Sequence, residues 1–170
     1  MRHYGFGGAS KQRLKMQNYD NLVTDALSRV NEIMPWDLSR MLGEGGQPIL
    51  LDVREPAEFA LLHLRGAINV PRGVLEQSCE WDYDETVPDL AAGREQDIVV
   101  ICRTGKRSAL AADAMMRMGF GKVVSLKTGV RGWIDYEQPL VDGQGAVLHA
   151  DAADGLLVSQ VRPEQRKPRR

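Results

Sequence analysis

The sequence predicts an α/β domain built around a parallel sheet. Short apolar runs at 49–53 (ILLDV), 67–70 (AINV), 98–102 (IVVIC) and 122–126 (KVVSL) alternate with stretches of helical character. The run IVVI at 98–101 is apolar at every position, which suits a strand covered on both faces. A length of 170 residues fits one such domain with some chain to spare at its ends.

Residues 1 to 17 are rich in glycine and bases and are expected to be loose. From Asn18 to Met34 the apolar residues Leu22, Val23, Ala26, Leu27, Val30 and Met34 recur at helical spacing, with Asn18 or Asp20 as the cap. This makes 1–32 an N-terminal extension with one amphipathic helix. A second helix fits 36–42, with Pro35 near its start and Gly43 at its end. Gly45-Gly46-Gln47-Pro48 is a turn into the strand at 49–53. Pro56 then sits in the first turn of a helix, and Pro71 stops the short strand at 67–70. The polar, acidic connection at 72–97 has room for one short helix at 89–92. After the strand at 98–102 a helix is expected from Ser108 as N-cap to Gly119 as C-cap. Thr128-Gly129 turns the chain from the strand at 122–126 into a helical segment at 130–136. After Leu140 the sequence becomes rich in Gly, Ala and Asp and ends in the basic run RPEQRKPRR, so 142–170 is expected to be a disordered tail.

A net charge of −1 gives no global pull toward nucleic acid or a membrane surface, and neither partner is expected. No apolar run is long enough to span a bilayer, and the N-terminus lacks the apolar segment of a secretory signal. With two cysteines, Cys79 and Cys102, one disulfide is conceivable. A cytoplasmic enzyme with a reactive thiol fits better, because the surroundings of Cys102 look activating. Two distant cysteines and three scattered histidines give no metal-ligand spacing, so no metal and no cofactor is expected.

The chemistry concentrates in 98–112, IVVICRTGKRSALAA. A buried strand ends on Cys102, a short loop follows, and a helix begins. Backbone N–H groups of such a loop point inward, and the helix dipole adds positive potential. Both favour negative charge on the sulfur, and the thiolate is the nucleophilic form. Arg103, Lys106 and Arg107 are a local cluster of bases, Gly105 lets the loop curl, and Thr104 and Ser108 complete it. Asp52 and Arg54 lie at the end of another strand, where ligand sites of parallel sheets are found.

Three blocks, LLDVREPAEFALLHLRGAINVP (50–71), ICRTGKRSALAA (101–112) and SLKTGVRGWIDYEQPL (125–140), resemble a single-domain rhodanese, a thiosulfate sulfurtransferase-like protein. The resemblance covers 33–141. It departs from the family where Thr128-Gly129 stands for the usual Gly-Gly, which is expected to alter backbone fit and not chemistry. It departs again where Leu-Arg-Gly follows His63 in place of the commoner Ile-Pro-Gly.

The resemblance implies a five-stranded parallel sheet flanked by helices and one catalytic cysteine, Cys102, that carries a persulfide. Thiosulfate or another sulfane-sulfur donor would load it, and a thiol, cyanide or a sulfur-carrier protein would accept the sulfur. Backbone N–H groups from Arg103 to Ser108 would hold the anion, and Arg103, Lys106 and Arg107 would attract it. Asp52, Arg54 and Glu55 read as supports fixing the loop by hydrogen bonds and an ion pair. His63 reads as a structural histidine, Trp133 as core or pocket wall, and Cys79 as an incidental loop cysteine blunted by nearby carboxylates.

Two rivals remain at this stage. Cysteine phosphatases and arsenate reductases also hold an anion between a cysteine and an arginine, but with five intervening residues. Here Cys102 and Arg107 are separated by four, a smaller cradle. A sulfur-carrier or binding module of the same fold, with little turnover of its own, is the other.

Overall fold

The computed structural model describes residues 17–168. The expected loose start therefore lies, but for residue 17, outside the described residues. In chain order the elements are α1 (Tyr19–Leu27), β1 (Asn31–Ile33), α2 (Pro35–Gly43), β2 (Ile49–Asp52), α3 (Pro56–Leu61), β3 (Ile68–Asn69), α4 (Leu75–Ser78), α5 (Pro88–Ala91), β4 (Ile98–Ile101), α6 (Lys106–Arg117), β5 (Val123–Leu126), α7 (Gly129–Asp135), β6 (Leu140–Val141), β7 (Val147–Leu148) and α8 (Ala150–Leu156). Five strands form one parallel sheet in the order β1-β5-β4-β2-β3. A parallel five-stranded sheet flanked by helices is the fold that the sequence led us to expect.

β4 is central, and its four residues are buried, as the unbroken apolar run requires. Its side chains alternate between two cores. Ile98 and Val100 point to one face with Leu51, Ala111, Met115 and Phe120, while Val99 and Ile101 point to the other with Leu38, Leu50, Leu126 and Trp133. All strands run the same way, so their carboxyl ends gather at one pole, and Asp52 and Ile101 pair there. Cys102 follows Ile101 at that pole.

Both ends of the chain depart from expectation. Asn18 does cap α1, accepting the Asn21 N–H at 2.8 Å, but the helix ends at Leu27. Val30 enters the core of the sheet domain, and Asn31–Ile33 forms an edge strand on β5. The spacing of Val30 and Met34 mimicked a further helical turn. The stretch beyond 141, expected to be disordered, pairs β7 with β6 antiparallel and then forms α8. Ala153 and Leu157 of that stretch are buried in the same core as Trp133 and Val130, so it has enough apolar surface to be held.

The turn into α7 bears on the site. Thr128 and Gly129 both have positive φ, +63° and +59°. Gly129 lets α7 press against the end of β4: the N–H groups of Val130 and Arg131 donate to the carbonyls of Cys102 (2.9 Å) and Arg103 (3.0 Å). A Cβ on Gly129 would collide with the Cys102 carbonyl and lie 2.7 Å from the Arg103 carbonyl carbon. Left-handed strain plus overpacking put the loss from Gly129→Ala at about 3 kcal/mol. At Thr128, a β-branched residue in the same region, relief of about 1–2 kcal/mol of strain outweighs the entropy of a glycine, so Thr128→Gly stabilises by about 0.5–1 kcal/mol. Urea unfolding of both variants checks this. An unchanged midpoint for Gly129→Ala, or a lowered one for Thr128→Gly, contradicts it.

Candidate active site

Cys102 leaves β4 at the sheet's carboxyl pole with 1% of its surface exposed. The loop after it is short: Arg103, Thr104 and Gly105, with α6 starting at Lys106. The expected N-cap, Ser108, is therefore three residues late: Gly105 holds that position. Gly105, at φ +91°, turns the chain directly into the helix without a side-chain cap, and it packs against the Thr128 backbone where a Cβ would lie 3.1 Å away. Ser108 sits inside the first turn and points at the sulfur.

The sulfur has two polar neighbours. The Gly105 N–H donates to Cys102 Sγ at 3.1 Å, and Ser108 Oγ lies 3.3 Å from it. Ser125 on β5 donates its hydroxyl to Ser108 Oγ at 2.8 Å, and Ser108 in turn is 3.0 Å from the Gly105 carbonyl. Ser108 has a single proton and two acceptors, that carbonyl and the sulfur. Negative charge on sulfur draws the proton to it. Twelve residues of α6 add their dipole from behind. Ser125 was missed in the sequence; the signal was a lone hydroxyl in an otherwise apolar strand.

The loop's cations do not converge on the sulfur. Arg107 makes a two-pronged pair with Glu58 of α3, at 2.6 and 2.7 Å. Arg107's hydrogen bonds hold the Glu58 carboxyl below its usual range, against a partial opposing effect of burial. Lys106 reaches back to Asp20 of α1 at 2.6 Å and lies 5.7 Å from the centre of the Tyr19 ring. Partial burial, then the nearby Cys102, push the Tyr19 phenol up. Arg103 donates to the Leu157 carbonyl at the end of α8. Thr104 is exposed. Glu58, Asp20 and Leu157 were not anticipated.

The support group is smaller than expected. Asp52 and Arg54 are fully buried and joined at 2.7 Å, with further bonds through Arg54 Nε and its backbone N–H. Arg54 also donates to the Leu62 carbonyl at 2.7 Å, and Asn69 bonds the carbonyls of Asp52 and Arg54. Arg54 Nη1 is buried with no partner among the described residues. Glu55 stays outside this group: it precedes α3 with an exposed side chain, and its N–H donates to Glu58 at 3.2 Å.

His63 stacks on Phe59 at 3.8 Å, and its Nδ1 meets the Phe59 carbonyl at 2.9 Å, a structural setting. Trp133 is core, its indole N–H donating to the Pro139 carbonyl. Cys79 is not the loop cysteine it was expected to be. It closes α4 inside the core, and burial first, then Glu76, push its thiol up to about 11.

A family model described as "Rhodanese-like domain" matches residues 34–136. A sulfurtransferase of Allochromatium vinosum is 30% identical over 68% of this chain and 99% of its own length. A putative sulfur carrier protein of Bacillus subtilis, YrkF, is 32% identical over 49% of this chain and 40% of its own. The solved thiosulfate sulfurtransferase of Pseudomonas aeruginosa superposes with a TM-score of 0.61 at 20% identity, covering 81% of this chain and 26% of that one, a likeness of fold. With most of its sheet and the whole Cys102 loop inside the matched span, the chain belongs to the rhodanese-like domain family.

Proposed function

We propose that this protein is a cytoplasmic sulfurtransferase that moves sulfane sulfur through a persulfide on Cys102. The carrying observation is the sulfur's setting: an N–H donor from Gly105 and a hydroxyl from Ser108, at the N-terminus of α6. Such a setting stabilises negative charge on Cys102 before loading and on the terminal sulfur afterwards. The Cys102 thiolate attacks the outer sulfur of the donor, and with thiosulfate the S–S electron pair leaves on sulfite. A thiol, cyanide or a sulfur-carrier protein then takes the outer sulfur, returning the Cys102 thiolate. The cytoplasm supplies the reducing conditions in which that thiol persists.

Phosphoryl or arsenate chemistry is disfavoured by Arg107. In a cysteine-to-arginine loop for a tetrahedral anion the arginine faces the anion, whereas here both arms of Arg107 are on Glu58. A carrier role with a dedicated persulfide donor has a specific observation in its favour. Lys106 and Arg107 are neutralised by Asp20 and Glu58, which weakens the pull on a dianion such as thiosulfate. The likeness to a putative sulfur carrier points the same way.

Intact mass after incubation with thiosulfate, and separately with a protein persulfide donor, tests the reading. The wild type gains one sulfur atom that cyanide removes, and Cys102→Ser gains none while keeping its circular dichroism spectrum. No gain from either donor sinks the mechanism; a gain from the protein donor alone selects the carrier reading.

The cations are expected to be unequal. Arg103 has no carboxylate partner among the described residues, so Arg103→Gln raises the KM for thiosulfate about fivefold, an effect of about 1 kcal/mol. Lys106→Gln, removing a charge already offset by Asp20, raises it less than twofold. Equal effects in steady-state kinetics would contradict this charge assignment.

A further inference from the structure

Among the described residues, the neutralisation of Lys106 and Arg107 leaves the loop's uncompensated charge on Arg103, whose partner is the neutral Leu157 carbonyl. That charge lies on the side of α8. There a cleft of about 610 Å³ opens between the loop, α7 and α8, with Arg103, Thr104, Arg131, Asp154, Leu157 and Ser159 in its walls. Arg131 is tied to the loop by its N–H on the Arg103 carbonyl at 3.0 Å. Its guanidinium meets Asp154 at 2.7 Å and Asp135 at 3.6 Å. All of these charged side chains are substantially exposed, and pairs so exposed are weak. The lining thus holds two guanidinium groups, one exchangeable carboxylate, hydroxyls and a short apolar wall, next to the two residues that follow Cys102. Asp154, Leu157 and Ser159 lie beyond the 34–136 span of the family match, so the far wall belongs to this chain's own C-terminal part.

We propose that this cleft is the acceptor subsite and that it takes a small thiol bearing a carboxylate. This rests on the persulfide reading of Cys102. The acceptor's carboxylate lies between Arg103 and Arg131, replacing Asp154 on Arg131, and its sulfur points across Thr104 into the loop. The acceptor enters as thiolate, its proton already lost to solvent. It attacks the outer sulfur of the persulfide; the new S–S bond forms as the bond to Cys102 Sγ breaks, and that bond's electron pair leaves on Sγ. The outer sulfur, anionic once sulfite has left, takes a proton from solvent before this attack and carries it to the acceptor. The products are the Cys102 thiolate and the acceptor persulfide, with no net oxidation or reduction.

The test uses the full chain, loaded by thiosulfate or a small persulfide donor and checked by intact mass before mixing. Discharge is then timed with 3-mercaptopropionate and with 2-mercaptoethanol, each rate constant referred to thiolate concentration. The wild type favours the anionic thiol by about threefold or more, the scale of an exposed charge contact. Arg131→Gln brings the ratio to about one, and Asp154→Asn, which frees Arg131, raises it above the wild-type value. A pair that merely held α8 in place would move both variants in the same direction, so opposite shifts are the signature of a binding role. A wild-type ratio near one, or a ratio that moves the same way in both variants or in neither, overturns the subsite. A protein that takes up no sulfur during loading instead overturns the persulfide reading and the subsite with it, and the mass measured before mixing separates the two failures.

Discussion

One fully buried ion pair stands at the carboxyl pole of the sheet, beside the Cys102 loop. Asp52 and Arg54 sit at the end of β2 with no exposed surface, and Arg54 extends beyond Asp52 to the carbonyl of Leu62 just past α3. Two charges taken out of water repay their desolvation only where further hydrogen bonds complete them, and removing one partner of such a pair typically costs about 3–5 kcal/mol. Asn69 on β3 adds bonds to both residues' backbone carbonyls, while Arg54 Nη1 has no partner among the described residues. The pair therefore ties the ends of β2 and β3 to α3. The far consequence is at Glu58, which α3 holds in position to grip Arg107 in the first turn of α6. A charge pair that never touches the sulfur is thus linked, through Leu62, α3 and Glu58, to the first turn of α6.

The site distributes charge in an economical way. The sulfur is served by dipoles, a backbone N–H, a hydroxyl and a helix terminus, and not by a formal cation. Formal charges near it are mostly cancelled in pairs, Lys106 with Asp20 and Arg107 with Glu58. Preorganised dipoles act on a buried atom without requiring solvent to rearrange, whereas surface cations act over distance and are screened by salt. The groups that face the sulfur and the groups that carry formal charge are thereby different ones.

What the sequence reveals and what it hides divides along the range of the interactions. β2, β4 and β5, Cys102 at a strand end and the turn at Gly105 are written in contiguous residues, and the sheet follows from them. The edge strand β1 was hidden because it is only three residues long and is flanked by Val30 and Met34, which continue the spacing of α1. α8 was hidden because Ala150, Ala153 and Leu157, a helical spacing, are diluted by Asp and Gly. The partners of the loop's bases had no local mark at all: Glu58 lies 49 residues from Arg107, and Asp20 lies 86 from Lys106. Three bases in one loop suggested a single anion clamp, and only the folded chain shows each turned to a different neighbour.

Tyr19 and Asp20 approach the loop from one side, and Leu157 closes on it from another. Asp20 lies 86 residues from Lys106 and Leu157 lies 54 from Arg103, so both sides of this rim are long-range contacts. The Lys106–Asp20 pair is exposed and the Arg103–Leu157 bond is only partly buried, so the rim closes on polar contacts that are individually weak. Cooperative units of low opening free energy are where amide hydrogens exchange first. The frame that positions Cys102 and the rim beside it thus differ in what holds them: a buried sheet carries the cysteine, and polar contacts from both ends of the fold border it.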